Sequence, residues 1–414
     1  MIWIVCGFTY VHAHDSLWNI KTSDYHDAYY GTAVGNGGIG ILPWKEPFSV
    51  KQIVLNHVFD AEAPHEVSRL IRGINPFSMN VKMDGQVVDG THISGWEQCI
   101  LLKEALHQTR FVYANKLEVS YSIWALRSMP YAGLIQVKAL TPVDLSVENG
   151  AEVSDEYLQP RVQRKSIQDY GLHLKLLRTS ALTRHRNLQV FATSAFIFEN
   201  DTKVEESDNK RNIFTKYLKT GEDFSFALLG AVCSQRDFID PCNESDALCG
   251  IKVPVSWNAV AKGSRIPKFS DGVTREYEGY DGQIIKQADA NLLAYPLKAI
   301  TRPEEIKRDL LYYEPQIDKS GPAMSYSVLA LQYARLGDGE KAYELFVRSF
   351  CPNQLPPFGV ISEGAGETNP YFTTGAGGLL QMVINGFCGL DLTDKGIKQL
   401  PSALPKHWKK IILT

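Results

Sequence analysis

PPFGVISEGAGETNPYFTTGAGGLL, residues 356–380, is the stretch from which the organisation of this 414-residue chain can be worked out. Its two prolines end whatever element precedes them, and the apolar residues that follow are suited to anchor a loop in a core. Glu363 and Glu367 come next, among glycine, serine, threonine and asparagine. From residue 374 the sequence turns into an apolar helical run. The composition predicts a loop that presents two carboxylates from a packed scaffold.

Two interpretations of this loop remain open on composition alone. Glycines let the backbone approach a ligand, and converging polar side chains suit a polyhydroxylated molecule. The alternative is a surface loop with solvated acids, because loops rich in glycine and asparagine are common.

The overall composition excludes several classes of partner. The formal net charge is −3, 44% of residues are hydrophobic and 21% are charged. This balance argues against a nucleic-acid or membrane partner, and no apolar segment is long enough to span a bilayer. The seven cysteines show no C-x-x-C spacing and the histidines no metal-ligand spacing, so we expect neither a metal nor a cofactor. Cys242 and Cys249 are close enough in sequence to pair, although nothing requires it.

The first residues resemble part of an export signal. Residues 2–10 form a short apolar run, and Ala13 stands at a small-residue cleavage position. We therefore interpret residues 1–13 as a signal peptide that lacks its basic start, and expect a secreted or periplasmic protein. The alternative is a buried first strand.

The chain divides into a β-rich half and a helical half. Period-two alternation, clearest at Leu117–Trp124, predicts an antiparallel β-sandwich over residues 14–240. Residues 241–265 form a junction. Helical periodicity then predicts helices at Gln287–Leu297, Pro303–Tyr313, Ala323–Leu336, Gly339–Phe350 and Thr374–Phe387. Further strands are predicted at Phe48–Val54, Leu134–Leu140, Leu145–Glu148, Leu172–Leu177, Leu188–Phe198 and Phe224–Val232.

Two segments carry a family resemblance. The first is GQIIKQADANLL at 282–293, which contains IKQAD, and the second is FGVISE with NPYFTTGAGGLLQ in the opening stretch. Together they resemble glycoside hydrolase family 65, which includes disaccharide phosphorylases and α-glucoside hydrolases. The resemblance implies a β-sandwich, an (α/α)6 barrel and a small C-terminal sheet domain. It predicts a partial helical barrel at 266–400 and the start of a truncated sheet domain at 401–414.

The resemblance also assigns roles to residues. Lys286 and Gln287 match the pair that hydrogen-bonds the bound glucose, and Glu363 falls where the hydrolases place the general base. A carboxylate at that position would repel phosphate, which favours a hydrolase over a phosphorylase. Asn369 and Thr373 are candidates for substrate contact or for capping the following helix. Neither Glu276 nor Glu278 receives an acid role.

This sequence departs from the family pattern in the centre of the barrel. Similarity to the sandwich fades near Asn243, and similarity to the late barrel resumes near Ala247. The segment that carries the family's general acid is missing between them. The candidates are therefore an inverting α-glucosidase, a catalytically inactive remnant that binds sugar weakly, and, third, a disaccharide phosphorylase. An open barrel would expose apolar inner faces, so we also expect a homo-oligomer or poor solubility.

Overall fold

A computed structural model describes most of the chain. The described residues are 2–6, 18–25, 28–61, 67–139, 143–169, 172–198, 202–207, 211–219, 224–238, 263, 265–393 and 395–413. The chain divides into two compact units, one formed by Ala13–Ile251 and the other by Met1–His12 together with Lys252–Thr414.

Strands dominate the described residues up to 234. In chain order they are β1 (Ile2–Cys6), β2 (Asn19–Thr22), β3 (Val34–Gly35), β4 (Ile39–Pro43), β5 (Val50–Asp60), β6 (Arg69–Gly73), β7 (Asn75–Met83), β8 (Gln86–Val87), β9 (Ile93–Leu101), β10 (Leu106–Tyr113), β11 (Leu117–Ala125), β12 (Ala132–Ala139), β13 (Val143–Glu152), β14 (Tyr157–Asp169), β15 (Leu172–Thr183), β16 (Gln189–Phe198), β17 (Glu205–Glu206), β18 (Asn212–Leu218) and β19 (Phe224–Ser234).

The β-rich unit contains three antiparallel sheets within the described residues. A nine-stranded sheet has the order β14-β15-β16-β19-β12-β11-β10-β9-β2, a five-stranded sheet the order β17-β18-β13-β7-β8, and a four-stranded sheet the order β3-β4-β5-β6. The predicted alternation is confirmed in β11, where Leu117, Val119, Tyr121 and Ile123 are buried. One face of this strand therefore belongs to the core.

Glycine allows the five-stranded sheet to approach the nine-stranded one. Gly133 of β12 and Gly230 of β19 are register partners. A Cβ atom on Gly230 would lie 2.6 Å from the Phe77 ring, and one on Gly133 would lie 3.1 Å from it. Phe77 of β7 is fully buried there. The hydroxyl of Ser194 also donates to Asn149 Oδ1 at 2.6 Å, which joins β16 to β13 across the buried layer.

Helices dominate the second unit. They are α1 (Asp289–Leu292), α2 (Pro303–Tyr313), α3 (Ala323–Arg335), α4 (Gly339–Arg348) and α5 (Thr373–Gln381), which continues as a π-helix at Met382–Phe387. Short strands follow or intervene: β20 (Gln354–Leu355), β21 (Val360–Ile361), β22 (Leu390–Thr393), β23 (Gly396–Gln399) and β24 (Trp408–Leu413).

Local sequence accounts for the ends of these helices. Pro303 begins α2 with Glu304 and Glu305 in the first turn, as predicted. The Asp338 carboxylate accepts a hydrogen bond from the Lys341 backbone N–H at 3.0 Å and caps α4. Helices α3 and α4 bury Leu329, Leu345 and Phe346 in one apolar cluster, which Phe387 and Trp408 extend.

The predicted helix Gln287–Leu297 is wrong in extent. Only Asp289–Leu292 is helical, and the next amides bond to carbonyls three residues back: Leu293 N–H donates to the Ala290 carbonyl and Ala294 N–H to the Asn291 carbonyl. The residues before and after this helix both limit its length. Backbone bonds hold Ile285 in an extended conformation, and Pro296 has no N–H to continue a helix.

The first strand bears on the signal-peptide interpretation. Ile2–Cys6 pairs antiparallel with Trp408–Leu413, with Ile4 opposite Ile411. This pairing agrees with the alternative of a first strand. The proposed cleavage position at Ala13 lies outside the described residues, and so do most of the predicted junction at 241–265 and both Cys242 and Cys249. The partial (α/α)6 barrel and the truncated sheet domain remain predictions.

Candidate active site

Lys286 sits on a segment that backbone bonds hold in place. Ile285 N–H donates to the Gln316 carbonyl at 2.9 Å, and Asp318 N–H donates to the Ile285 carbonyl at 2.8 Å. The Lys286 carbonyl accepts the hydroxyl of Ser325 at 3.2 Å. The lysine backbone is thereby fixed while its side chain, 74% exposed, reaches solvent.

Glu363 lies on a loop anchored by buried polar groups. Ser362 is fully buried, and its hydroxyl donates to the carbonyls of Asn353 at 3.0 Å and Gly364 at 2.9 Å. The Asn353 amide donates to the Glu363 carbonyl at 2.9 Å and to the Ser362 carbonyl at 3.3 Å. Because buried polar groups are costly to leave unpaired, this network fixes the loop backbone.

The first turn of α3 holds both segments at once. Ala323 N–H donates to the Glu363 carbonyl at 3.1 Å, while Ser325 binds the Lys286 carbonyl. Lys286 Nζ lies 3.9 Å from Glu363 Oε1, and the Glu363 side chain is 37% exposed. This separation exceeds a direct hydrogen bond and leaves the two charged groups open to a third polar group between them.

Glu367 has a structural contact that composition did not predict. Its carboxylate accepts the Gly364 N–H at 3.0 Å. A Cβ atom on Gly364 would lie 2.6 Å from the Glu367 carboxyl and 2.9 Å from the Ser320 carbonyl, so only glycine fits without a shift. Glu367 and Gly364 therefore shape the turn directly after Glu363.

The structure shows no hydrogen bond between this pair and the other predicted site residues, all of which lie in the described ranges. Gln287 is half-buried, and Asn369 and Thr373 are exposed. The Thr373 hydroxyl donates to the Tyr371 carbonyl at 3.3 Å, so it does not cap α5, whose N-cap residue Phe372 has no side-chain capping bond. In the described ranges, neither Gln287 nor Asn369 has a hydrogen bond to Lys286 or Glu363.

Sequence reasoning missed three supporting residues, Asn353, Ser325 and Glu276. Each acts through backbone groups of another segment and belongs to no motif, so no sequence signal marked it.

Two acids near Lys286 have shifted pKa values. Bonds from the Ser320 backbone and hydroxyl lower the pKa of Asp318, with a smaller effect from Lys286. Burial raises the pKa of Glu276, against the opposing effect of two backbone N–H donors.

Two negative findings apply to the described part of the chain. No group of three histidine, cysteine or acidic side chains is arranged to hold a metal ion there. No helix among those residues is both long and apolar enough to cross a bilayer.

Comparison with known proteins identifies the class. The family model described as "Glycosyl hydrolase family 65 central catalytic domain" matches residues 263–352, which include Lys286 and Gln287. The kojibiose hydrolase of Flavobacterium johnsoniae is 25% identical over 657 alignment positions, covering 99% of this chain and 96% of the relative. The kojibiose hydrolase of Mucilaginibacter mallensis is 52% identical over 165 residues, 40% of this chain and 24% of the relative.

A third relative is the protein-glucosylgalactosylhydroxylysine glucosidase of Gallus gallus, which is 36% identical over 183 residues, 43% of this chain and 24% of the relative. By its resemblance to these proteins, the chain is a glycoside hydrolase. The family model and these relatives show that the chain is similar to glycosyl hydrolase family 65.

The match to the Flavobacterium protein is interrupted. The alignment has 657 positions and the chain has 414 residues, so at least 243 positions of that relative have no counterpart here. The matches to the other two relatives span about a quarter of their length. The chain therefore corresponds to only part of the complete family enzyme.

Proposed function

We propose that the chain is an α-glucosidase of the inverting type, acting on α-linked glucosyl disaccharides or glucosides. The observation that carries the proposal is the approach of Lys286 Nζ to Glu363 Oε1 at 3.9 Å. The two residues belong to two separate sequence motifs, each of which assigns its residue to the same sugar site. They meet at the start of α3. Relatives named as kojibiose hydrolase and as a glucosidase support the same class of substrate.

In this proposal Glu363 is the general base. As a carboxylate it takes a proton from a water molecule, whose oxygen attacks the anomeric carbon from the face opposite the leaving group. Lys286 and Gln287 bind hydroxyls of the glucosyl unit, and Asn369 and Thr373 contact substrate from the loop and the start of α5. No cofactor takes part.

Inversion also needs a general acid, with the two carboxyl groups about 6.5–9.5 Å apart. We assign no residue of this chain to that role. The second candidate function follows from this: a catalytically inactive remnant that binds sugar weakly. The absence of at least 243 positions of the Flavobacterium relative favours it. A disaccharide phosphorylase is the third candidate, disfavoured by the carboxylate at position 363.

One experiment separates the three. Purified protein is incubated with kojibiose, trehalose or nigerose, with and without phosphate, and products are followed by NMR. Glucose release independent of phosphate supports the hydrolase. Sugar binding without turnover supports the remnant, and phosphate-dependent glucose 1-phosphate would overturn the hydrolase assignment.

The location of the protein is a proposal as well. A secreted or periplasmic location rests on residues 1–13, and cell fractionation with N-terminal sequencing of the mature protein tests it. Cleavage after Ala13 is the expected result, whereas a full-length cytosolic protein would contradict it.

A further inference from the structure

Glu276 lies outside every motif of the sequence and makes two bonds to the segment that follows Lys286. Its carboxylate accepts the Asp289 N–H at 2.5 Å through Oε1 and the Ala290 N–H at 2.9 Å through Oε2. These are the first two amides of α1, and the preceding residue, Ala288, supplies no side-chain cap. The Glu276 carboxylate therefore satisfies two backbone donors at the start of α1 that would otherwise lack a partner within the helix.

The segment that carries Glu276 is itself fixed to α2. Thr274 N–H donates to Asp309 Oδ1 at 2.9 Å, and the Tyr313 hydroxyl donates to the Thr274 carbonyl at 2.6 Å. Asp309 and Tyr313 are both buried in the helical core. Glu276 therefore projects from a rigid support rather than from a mobile surface loop.

We propose that Glu276 is a positioning residue that sets the Lys286–Gln287 pair against Glu363. Bonds from Gln316, Asp318 and Ser325 fix residues 285 and 286 from one side. Glu276 fixes residues 289 and 290 from the other, so that the two sugar-binding residues lie between two anchored points. The part of this inference that concerns glucose binding rests on the proposed function. The part that concerns the backbone of residues 285–292 does not.

The same geometry argues against Glu276 as the missing general acid. Both oxygens of Glu276 accept backbone N–H groups of α1, and these donors favour the carboxylate over the protonated form that a general acid needs. Glu278, two residues further on, is exposed and provides a matched control with the same charge.

Glu276→Gln, which keeps the side-chain shape, is compared with Glu278→Gln and with the unaltered chain. Hydrogen exchange of a peptide covering residues 285–292 and glucose binding by calorimetry are both measured well below the melting temperature of each variant. Loss of a hydrogen bond to a charged group predicts about tenfold faster exchange and about tenfold weaker glucose binding in Glu276→Gln only.

The exchange rates and the glucose affinities together decide whether Glu276 positions the Lys286–Gln287 pair. Unchanged exchange in Glu276→Gln would overturn the proposal. Faster exchange with unchanged glucose affinity would also overturn it, because Glu276 would then be only a structural cap of α1. If the unaltered chain binds no glucose, the proposed function fails, and the exchange data still decide whether Glu276 fixes the segment. Should Glu276→Gln fail to fold, Glu276→Asp, which keeps the charge on a shorter side chain, replaces it and is compared with Glu278→Asp. Faster exchange of residues 285–292 than in Glu278→Asp is expected, and equal exchange would contradict the proposal.

Discussion

Lys286 and Glu363 lie with Nζ and Oε1 3.9 Å apart, and the first turn of α3 binds the backbone carbonyl of each. One helix end therefore holds together the backbone segments that carry a cation and an acid remote in sequence. Under the proposed function these two segments form a half-site, in which one would offer donors for sugar hydroxyls and the other would offer a base.

Replacing Glu363 with glutamine removes the proposed base and keeps the backbone bonds that hold the loop. General base catalysis contributes about 10²–10⁴-fold to rate, so we expect glucoside hydrolysis to fall by that factor. Steady-state kinetics would measure this, with Glu278→Gln as the control. Activity within twofold of the unaltered chain would show that Glu363 is not the base.

Replacing Lys286 with methionine keeps the aliphatic stem and removes the charge. A hydrogen bond to a charged group contributes roughly 1.5–3 kcal/mol, which corresponds to a roughly 10–100-fold weaker glucose affinity. Calorimetric titration measures it. Lys307→Met, at an exposed position of α2, should leave the affinity unchanged, and an equal loss in both variants would contradict a specific role for Lys286.

Asn353→Leu leaves the carbonyls of Ser362 and Glu363 without their buried donor. The cost of an unsatisfied buried group predicts a loss of about 1–3 kcal/mol in the free energy of unfolding. Denaturant unfolding measures it. Asn369→Ala, at an exposed position without such bonds, should stay within about 0.5 kcal/mol, and a similar result for Asn353→Leu would mean that the network does not hold the loop.

Gly364→Ala and Gly377→Ala form a second matched pair. At residue 364 the new methyl would meet the Glu367 carboxyl at 2.6 Å and must displace the loop, so we expect hydrolysis or sugar binding to weaken. At residue 377 in α5 nothing lies within 4 Å, and alanine should stabilise the helix by up to about 1 kcal/mol. Thermal unfolding and sugar titration together would detect the difference, and indistinguishable variants would be inconsistent with it.

Exposed apolar side chains on the helical unit predict self-association. Ile284, Leu311 and Leu380 are 63%, 60% and 59% exposed. Such surface is unfavourable in water, so sedimentation should reveal concentration-dependent oligomers, and Leu311→Glu with Leu380→Glu should reduce them. A monodisperse, cooperatively melting monomer would contradict the predicted self-association.

The sequence predicted local elements better than it predicted the site. Helix α2 begins at Pro303 as expected, because proline and two acids at a helix start act locally. The helix at Gln287 was overestimated, because its beginning is decided by bonds to Gln316 and Asp318, far along the chain. The bond from the Gly364 N–H to the exposed Glu367 carboxylate was missed for the same reason, because it depends on a turn geometry that composition does not specify.

The most direct test of the half-site uses a substrate that needs no general acid. Fluoride leaves without protonation, so α-glucosyl fluoride requires only a base that activates water and residues that bind glucose. Proton NMR of the purified chain with this substrate follows the anomer formed first. The proposed function predicts β-glucose, with release lost in Glu363→Gln. No release above the rate in buffer, or α-glucose as the first product, would contradict it.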